Sequence, residues 1–137
     1  MNNQLPDKPS DLLALALSDL AKIERSSKYE VVMGGWHVPS TGDVCEVCMA
    51  GAVMAKTLKA DRFKRRTPAG FETDTQNKLM ALDDFRTGDL THALKALGIR
   101  RPRSLASKIW VARYDTDRKL FKKDMQDIIE ALKGEGL

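Results

Sequence analysis

A chain of 137 residues with 42% apolar and 31% charged side chains has the size and composition of one folded domain. That balance argues against gross disorder, and no apolar run is long enough to cross a bilayer, so no membrane partner is expected. A net charge of +4, with a pI near 9.1, permits an acidic partner without demanding one.

Met1 to Lys8 is polar and is expected to be disordered ahead of a single domain that takes up the rest of residues 1–137. Pro9-Ser10 opens a helix running to about Arg25, with Ser10 as its cap and Leu13, Ala16, Leu17, Leu20 and Ile23 on its core face. Leu12 to Leu17 is too short, and too closely flanked by Asp11 and Asp19, for the core of a signal peptide; a cytoplasmic location is expected. Tyr29 to Met33 has strand composition. The glycines and Trp36-His37-Val38-Pro39 after it suggest a short strand or hairpin with a loop. Trp36 is large enough to pack on the body of the domain.

Val44 to Leu58 reads as one buried helix capped by Asp43, with Glu46 as its only charge before Lys56. Its apolar residues cover nearly the whole circumference. Gly51 costs roughly 1 kcal/mol against alanine in a helix, which points to another backbone passing close by. Residues 59–71 lack periodicity, hold Pro68 and Gly70, and read as a loop. Thr73 and Gln76 match a capping box opening a helix to about Arg86. A second short helix is expected from Asp89 to Leu97, an ambiguous third over Ser104 to Tyr114, and a last one from Arg118 to Lys133. Leu120, Phe121, Met125, Ile128, Ile129 and Leu132 form the core face of that last helix. The expected fold class is mainly α: a compact bundle of about six helices around a buried central helix (43–58), with a small β or extended element near 29–38.

Three groups of residues could carry chemistry. His37, Cys45 and Cys48 have the spacing H-x7-C-x2-C, and cysteines at i and i+3 of a helix can grip one metal. Only His92 or Asp43 offers a fourth ligand, and two packing cysteines are the simpler reading. Cys45 in the first turn of a helix would have its thiolate favoured, with His37 as base. Neither pattern reaches the specificity of a known catalytic constellation, which argues against an enzyme, and no cofactor is expected.

The third group is basic. Lys56, Lys59, Arg62, Lys64, Arg65 and Arg66 face one acid, Asp61, within residues 56–66. Nine bases against two acids lie between Arg100 and Lys123, including Arg100, Arg101 and Arg103. Such clusters make an electrostatic footprint for phosphates or carboxylates, although charge runs often only solvate a surface.

Val44-Cys45 and Cys48-Met49-Ala50-Gly51-Ala52, with Trp36 ahead of them, resemble the small-residue helix of short phage and prophage proteins of unknown function. In those a Cys-x-x-Gly-Ala core helix follows a Trp-containing segment, and the resemblance covers residues 29–58. It implies a phage-encoded accessory protein that binds and blocks a host component, such as part of a defence system. The family has no established activity, so it lends no functional residues. The resulting expectation is a binding protein whose basic clusters contact an acidic host protein, with nucleic-acid or nucleotide binding as the runner-up and a Cys/His metalloprotein or enzyme third.

Overall fold

The computed structural model describes residues 5–32, 36–40, 44–84 and 114–137, apart from the side chains of residues 81, 83 and 84. The first helix, α1 (Pro9–Glu24), buries Leu12, Leu13, Ala16, Leu20 and Ile23 at helical spacing. Lys8 is its N-cap and Pro9 takes the first turn, where a missing N–H is no loss. Ser10 is therefore inside the helix and not its cap. Its hydroxyl donates to the carbonyl of Leu137 at 2.7 Å, which ties the end of the chain to the start of α1. The segment before α1 is also held. Leu5 is buried in the core, and Lys78 Nζ donates to its carbonyl at 3.0 Å and to Asp7 at 2.7 Å.

Three short strands follow: β1 (Tyr29–Val31), β2 (His37–Pro39) and β3 (Cys45–Val47). Their order in the sheet is β1-β3-β2, with β1 parallel and β2 antiparallel to the central β3. Tyr29, Cys45 and Pro39 lie in one register row, and Val31, Val47 and His37 in the row two residues along. Side chains alternate along a strand, so these six share one face, turned to the helices. Cys45, Val47 and His37 are fully buried there, while Glu30 and Glu46 sit side by side on the opposite face.

The helix α2 (Met49–Lys56) starts only after β3. Its N-cap is Cys48, whose sulfur accepts the N–H of Gly51 at 3.3 Å. The helix expected over 43–58 is thus a strand followed by a helix whose cap is Cys48; the expected cap, Asp43, lies outside the described residues. Period two wins over residues 44–47 because Cys45 and Val47 go in while Glu46 goes out. The apolar content that suggested a surrounded helix belongs to α2, where every residue from Met49 to Ala55 is buried. Eight residues cannot hold a helix alone in water, so packing against α1, α3 and the sheet maintains it. Gly51 does face another backbone: a Cβ there would lie 1.7 Å from the carbonyl oxygen of Trp36.

A 3-10 turn (Pro68–Gly70) leads into α3 (Thr73–Asp84). Glu72 caps α3 in place of Thr73: its carboxylate accepts the N–H groups of Thr75 at 2.7 Å and Asp74 at 3.3 Å. The last helix, α4 (Arg118–Gly134), has Asp117 as its N-cap. Phe121, Met125, Ile128, Ile129 and Leu132 are buried as the period requires, while Leu120 lies at the margin with 40% exposure. Among the described residues there are four α-helices of two turns or more, one 3-10 turn and a three-stranded mixed sheet. This corrects the expected bundle of about six helices. The helix expected over 89–97 and nearly all of the one over 104–114 lie outside the described residues. No helix among those described is long and apolar enough to cross a membrane.

One polar node joins α4 to α1. Glu24 accepts the hydroxyl of the buried Tyr114 at 2.6 Å and pairs with Lys122. Burial pushes the Glu24 carboxyl up, but its bonds to Lys122 and Tyr114 outweigh this and hold it below the usual range. Tyr114 also meets the Phe121 ring edge to face at 5.3 Å. Tyr114→Phe is expected to cost about 1.5 kcal/mol in urea unfolding, the worth of a hydrogen bond to a charged group. Lys122→Ala removes a half-exposed partner and should cost less than about 1 kcal/mol. Equal losses in the two variants would mean that the hydroxyl is not the buried half of the node.

Candidate functional site

The chain leaving α2 carries the first basic cluster, and it is fastened at each end and in the middle. At its start, the hydroxyl of Thr57 donates to the buried carboxylate of Asp19 at 2.6 Å. Burial pushes the Asp19 carboxyl up, against the pull of Thr57 and of Lys22, whose nitrogen is 3.8 Å away. Lys59 then takes the left-handed conformation (φ 56°), and the next N–H, of Ala60, reaches back to Met54 at 2.8 Å. This reverses the chain. Asp61 builds the following turn: its side chain accepts the N–H of Phe63 at 2.9 Å and its carbonyl accepts that of Lys64 at 3.0 Å.

His37 holds the far side of this turn. Its Nδ1 is 2.9 Å from the carbonyl of Lys64, and its own carbonyl accepts the N–H of Arg66 at 3.0 Å. Arg66 therefore forms an antiparallel bridge on the edge of β2. A carbonyl can only accept, so the proton sits on Nδ1 and Nε2 presents a lone pair. That lone pair is buried without a hydrogen-bond partner. Burial pushes the His37 ring below its usual pKa, against the help of the Lys64 carbonyl.

The six bases of residues 56–66 thus have different fates. Lys56 lies over the Tyr29 ring, 5.3 Å from its centre. Arg66 is committed to structure, with its guanidinium donating to Gly70 at 3.0 Å and lying 4.2 Å above the Phe71 ring. Arg62 covers the Phe63 ring at 4.3 Å. Lys59, Lys64 and Arg65 are exposed. Phe63 itself stands out: it is 61% exposed at the tip of the turn, between Arg62 and Lys64. The sequence reading passed over Phe63. An aromatic within a run of bases was the available signal.

The second cluster is only partly described. Arg100, Arg101 and Arg103 lie outside the described residues, as do Asp43 and His92. Of its remainder, Arg118 lies 4.8 Å above the Tyr114 ring, Lys122 pairs with Glu24, and Lys123 pairs with Asp127 at 2.9 Å.

The Cys/His chemistry is reassigned. Cys45 is not in a first helical turn but in the middle of the sheet, where burial pushes its thiol up, away from an activated thiolate. His37 has its protonated nitrogen committed to Lys64 and is sealed from solvent, so it serves as a strut and not as a base. Cys48 caps α2, and the two thiols are not bridged to one another. Among the described residues no three His, Cys, Asp or Glu side chains gather as a metal site requires.

With this geometry in place, comparison with known proteins adds nothing: no family model, curated protein or solved structure matches the chain.

Proposed function

We propose that this chain is a small accessory binding protein that acts by occupying an anionic host component through the turn at residues 61–66. The observation that carries this reading is Phe63, held 61% exposed among bases on an anchored turn. The exposed ring takes no part in the core and is open to a partner. Three ties, Asp19 to Thr57, His37 to Lys64 and His37 to Arg66, fix the turn before any partner arrives. Fixing it early lowers the ordering cost of association.

Positive charge alone suits an acidic protein and a nucleic acid equally. The ring favours nucleic acid, because aromatic side chains interleaved with bases are what unpaired bases stack upon. This reverses the order that charge and the phage-protein resemblance suggested. The acidic-protein reading keeps one support, since exposed aromatic and arginine side chains are also what anchors protein interfaces.

Capture from a bacterial lysate separates the two. The nucleic-acid reading expects retained material that nuclease releases and that a Lys64→Glu/Arg65→Glu variant fails to hold. An acidic protein retained after nuclease, and lost in the same variant, would support the second reading. Equal capture by wild type and variant would contradict both.

A further inference from the structure

The turn at residues 61–66 has a shape as well as a charge. Its backbone is closed by Asp61, which accepts two N–H groups of the turn, from Phe63 and Lys64. One carboxylate oxygen of Asp61, the one acid in the segment, is engaged by the Phe63 N–H. The guanidinium of Arg62 lies over the Phe63 ring at 4.3 Å, so the exposed part of the ring is its opposite face and rim. A cation over one face of an exposed ring favours that arrangement by about 0.5–1 kcal/mol. Lys64 and Arg65 follow immediately and are exposed. A flat apolar face followed in the chain by two exposed cations suits a nucleic-acid strand, in which bases alternate with phosphates.

Duplex DNA does not offer such a match. Its bases are stacked on one another, and a single short turn carries no helix or β-ribbon to enter the major groove. An unpaired base has both faces available, and stacking on an aromatic is insensitive to its identity.

We propose that the Arg62–Phe63–Lys64–Arg65 turn is a base-stacking site for single-stranded nucleic acid, with one unpaired base on the open face of Phe63 and neighbouring phosphates on Lys64 and Arg65. The proposal rests on the nucleic-acid reading above and narrows it to single strands read by stacking. The sheet contributes only through the His37 ties that anchor the turn, and neither the cysteines nor α4 takes part.

The test measures fluorescence anisotropy of labelled oligothymidylate of about a dozen nucleotides, a hairpin duplex of equal charge, and poly-L-glutamate, each at low and moderate salt. Wild type is expected to bind the oligothymidylate at least about tenfold more tightly than the duplex. Phe63→Ala should lose about tenfold or more on the single strand, the worth of one stacked base, and should leave duplex binding unchanged. Phe63→Trp should retain single-strand binding, which separates a stacking role from general damage to the turn. Lys64→Glu/Arg65→Glu should weaken both nucleic acids and flatten the salt dependence. With two cations at phosphates, the logarithmic slope in wild type should be about −1.4. Equal affinity for strand and duplex, untouched by Phe63→Ala, would overturn the stacking site while leaving charge-driven nucleic-acid binding intact. No binding of either nucleic acid at low salt would overturn both, and binding of poly-L-glutamate alone would assign the turn to an acidic protein.

Discussion

Gly51→Ala is expected to lower stability by about 3 kcal/mol, or roughly 10 °C in Tm, although alanine is ordinarily the better helix former by about 1 kcal/mol. The added Cβ would stand 1.7 Å from the Trp36 carbonyl oxygen and 2.8 Å from its carbon. Both are backbone atoms, so no side chain can rotate out of the way. The same carbonyl accepts the N–H of Cys48 at 3.3 Å, immediately before α2 starts. Moving the two segments apart would strain that bond and the His37 pairing one residue on. Gly51→Leu should be worse. Ala52→Gly, one position along, should cost only about the 1 kcal/mol of helix propensity together with its lost packing. An unchanged midpoint for Gly51→Ala in urea unfolding would show that α2 does not lie against the Trp36 carbonyl.

Acid is expected to weaken the fold through His37 before any carboxylate matters. Burial lowers the pKa of its ring, with nearby Arg66 acting in the same sense and the Lys64 carbonyl and Asp61 against it. A histidine whose pKa is depressed in the folded chain takes up its proton more readily when unfolded. Stability is therefore full above the unfolded value of about 6.5 and falls as pH drops below it, by at most about 1.4 kcal/mol per pH unit. Between about pH 6.5 and pH 5 the midpoint of urea unfolding should therefore fall progressively with pH. Glu24, held low, adds to acid sensitivity only below its own unfolded value, whereas Asp19, held high, acts in the opposite sense above its own unfolded value. His37→Phe should cost about 1 kcal/mol at neutral pH through the lost bond to Lys64, and should remove most of the acid slope. Urea midpoints for both proteins at three pH values decide this. Parallel curves would mean that His37 titrates alike in the folded and unfolded chains.

How much the sequence discloses varies along the chain for physical reasons. Helix α4 is legible almost residue by residue, because its apolar positions recur at 3.6 over seventeen residues against a strongly charged background. Helix α1 is equally plain, but its cap is not. Ser10 is a good capping residue whose hydroxyl is instead taken by Leu137, 127 positions away. Residues 44–47 mislead because four residues cannot distinguish a period of two from one of 3.6. Glu46 is sensible both as a first-turn carboxylate and as the outward residue of a strand. What decides is pairing with Tyr29–Val31 and His37–Pro39, which no local pattern contains. The close approach at Gly51 is legible as a cost needing a reason, whereas the identity of the approaching group, Trp36, is not.

The site divides in the same way. The basic run is visible in the composition of residues 56–66, but its division into structural and exposed members is not. Arg66 looks like Arg65 in sequence, and only the bridge to His37 and the ring of Phe71 set it apart. Phe63 carries no local signal of exposure; the turn built by Asp61 places it in solvent. His37 beside two cysteines suggests chemistry. Sealed in the sheet, it acts as the strut that shapes the basic turn.

That strut is the central claim, and native-state hydrogen exchange at the Arg66 amide tests it most directly. The amide lies in a segment with the composition of a mobile surface loop, yet it donates to His37 at 3.0 Å. In wild type it should exchange slowly, with protection comparable to that of β3. In His37→Ala the amide should lose that protection while those of α4 keep theirs. Arg66 exchanging at the rate of an unprotected amide in the wild-type protein would contradict the account, because the basic turn would then not be held in place by the sheet.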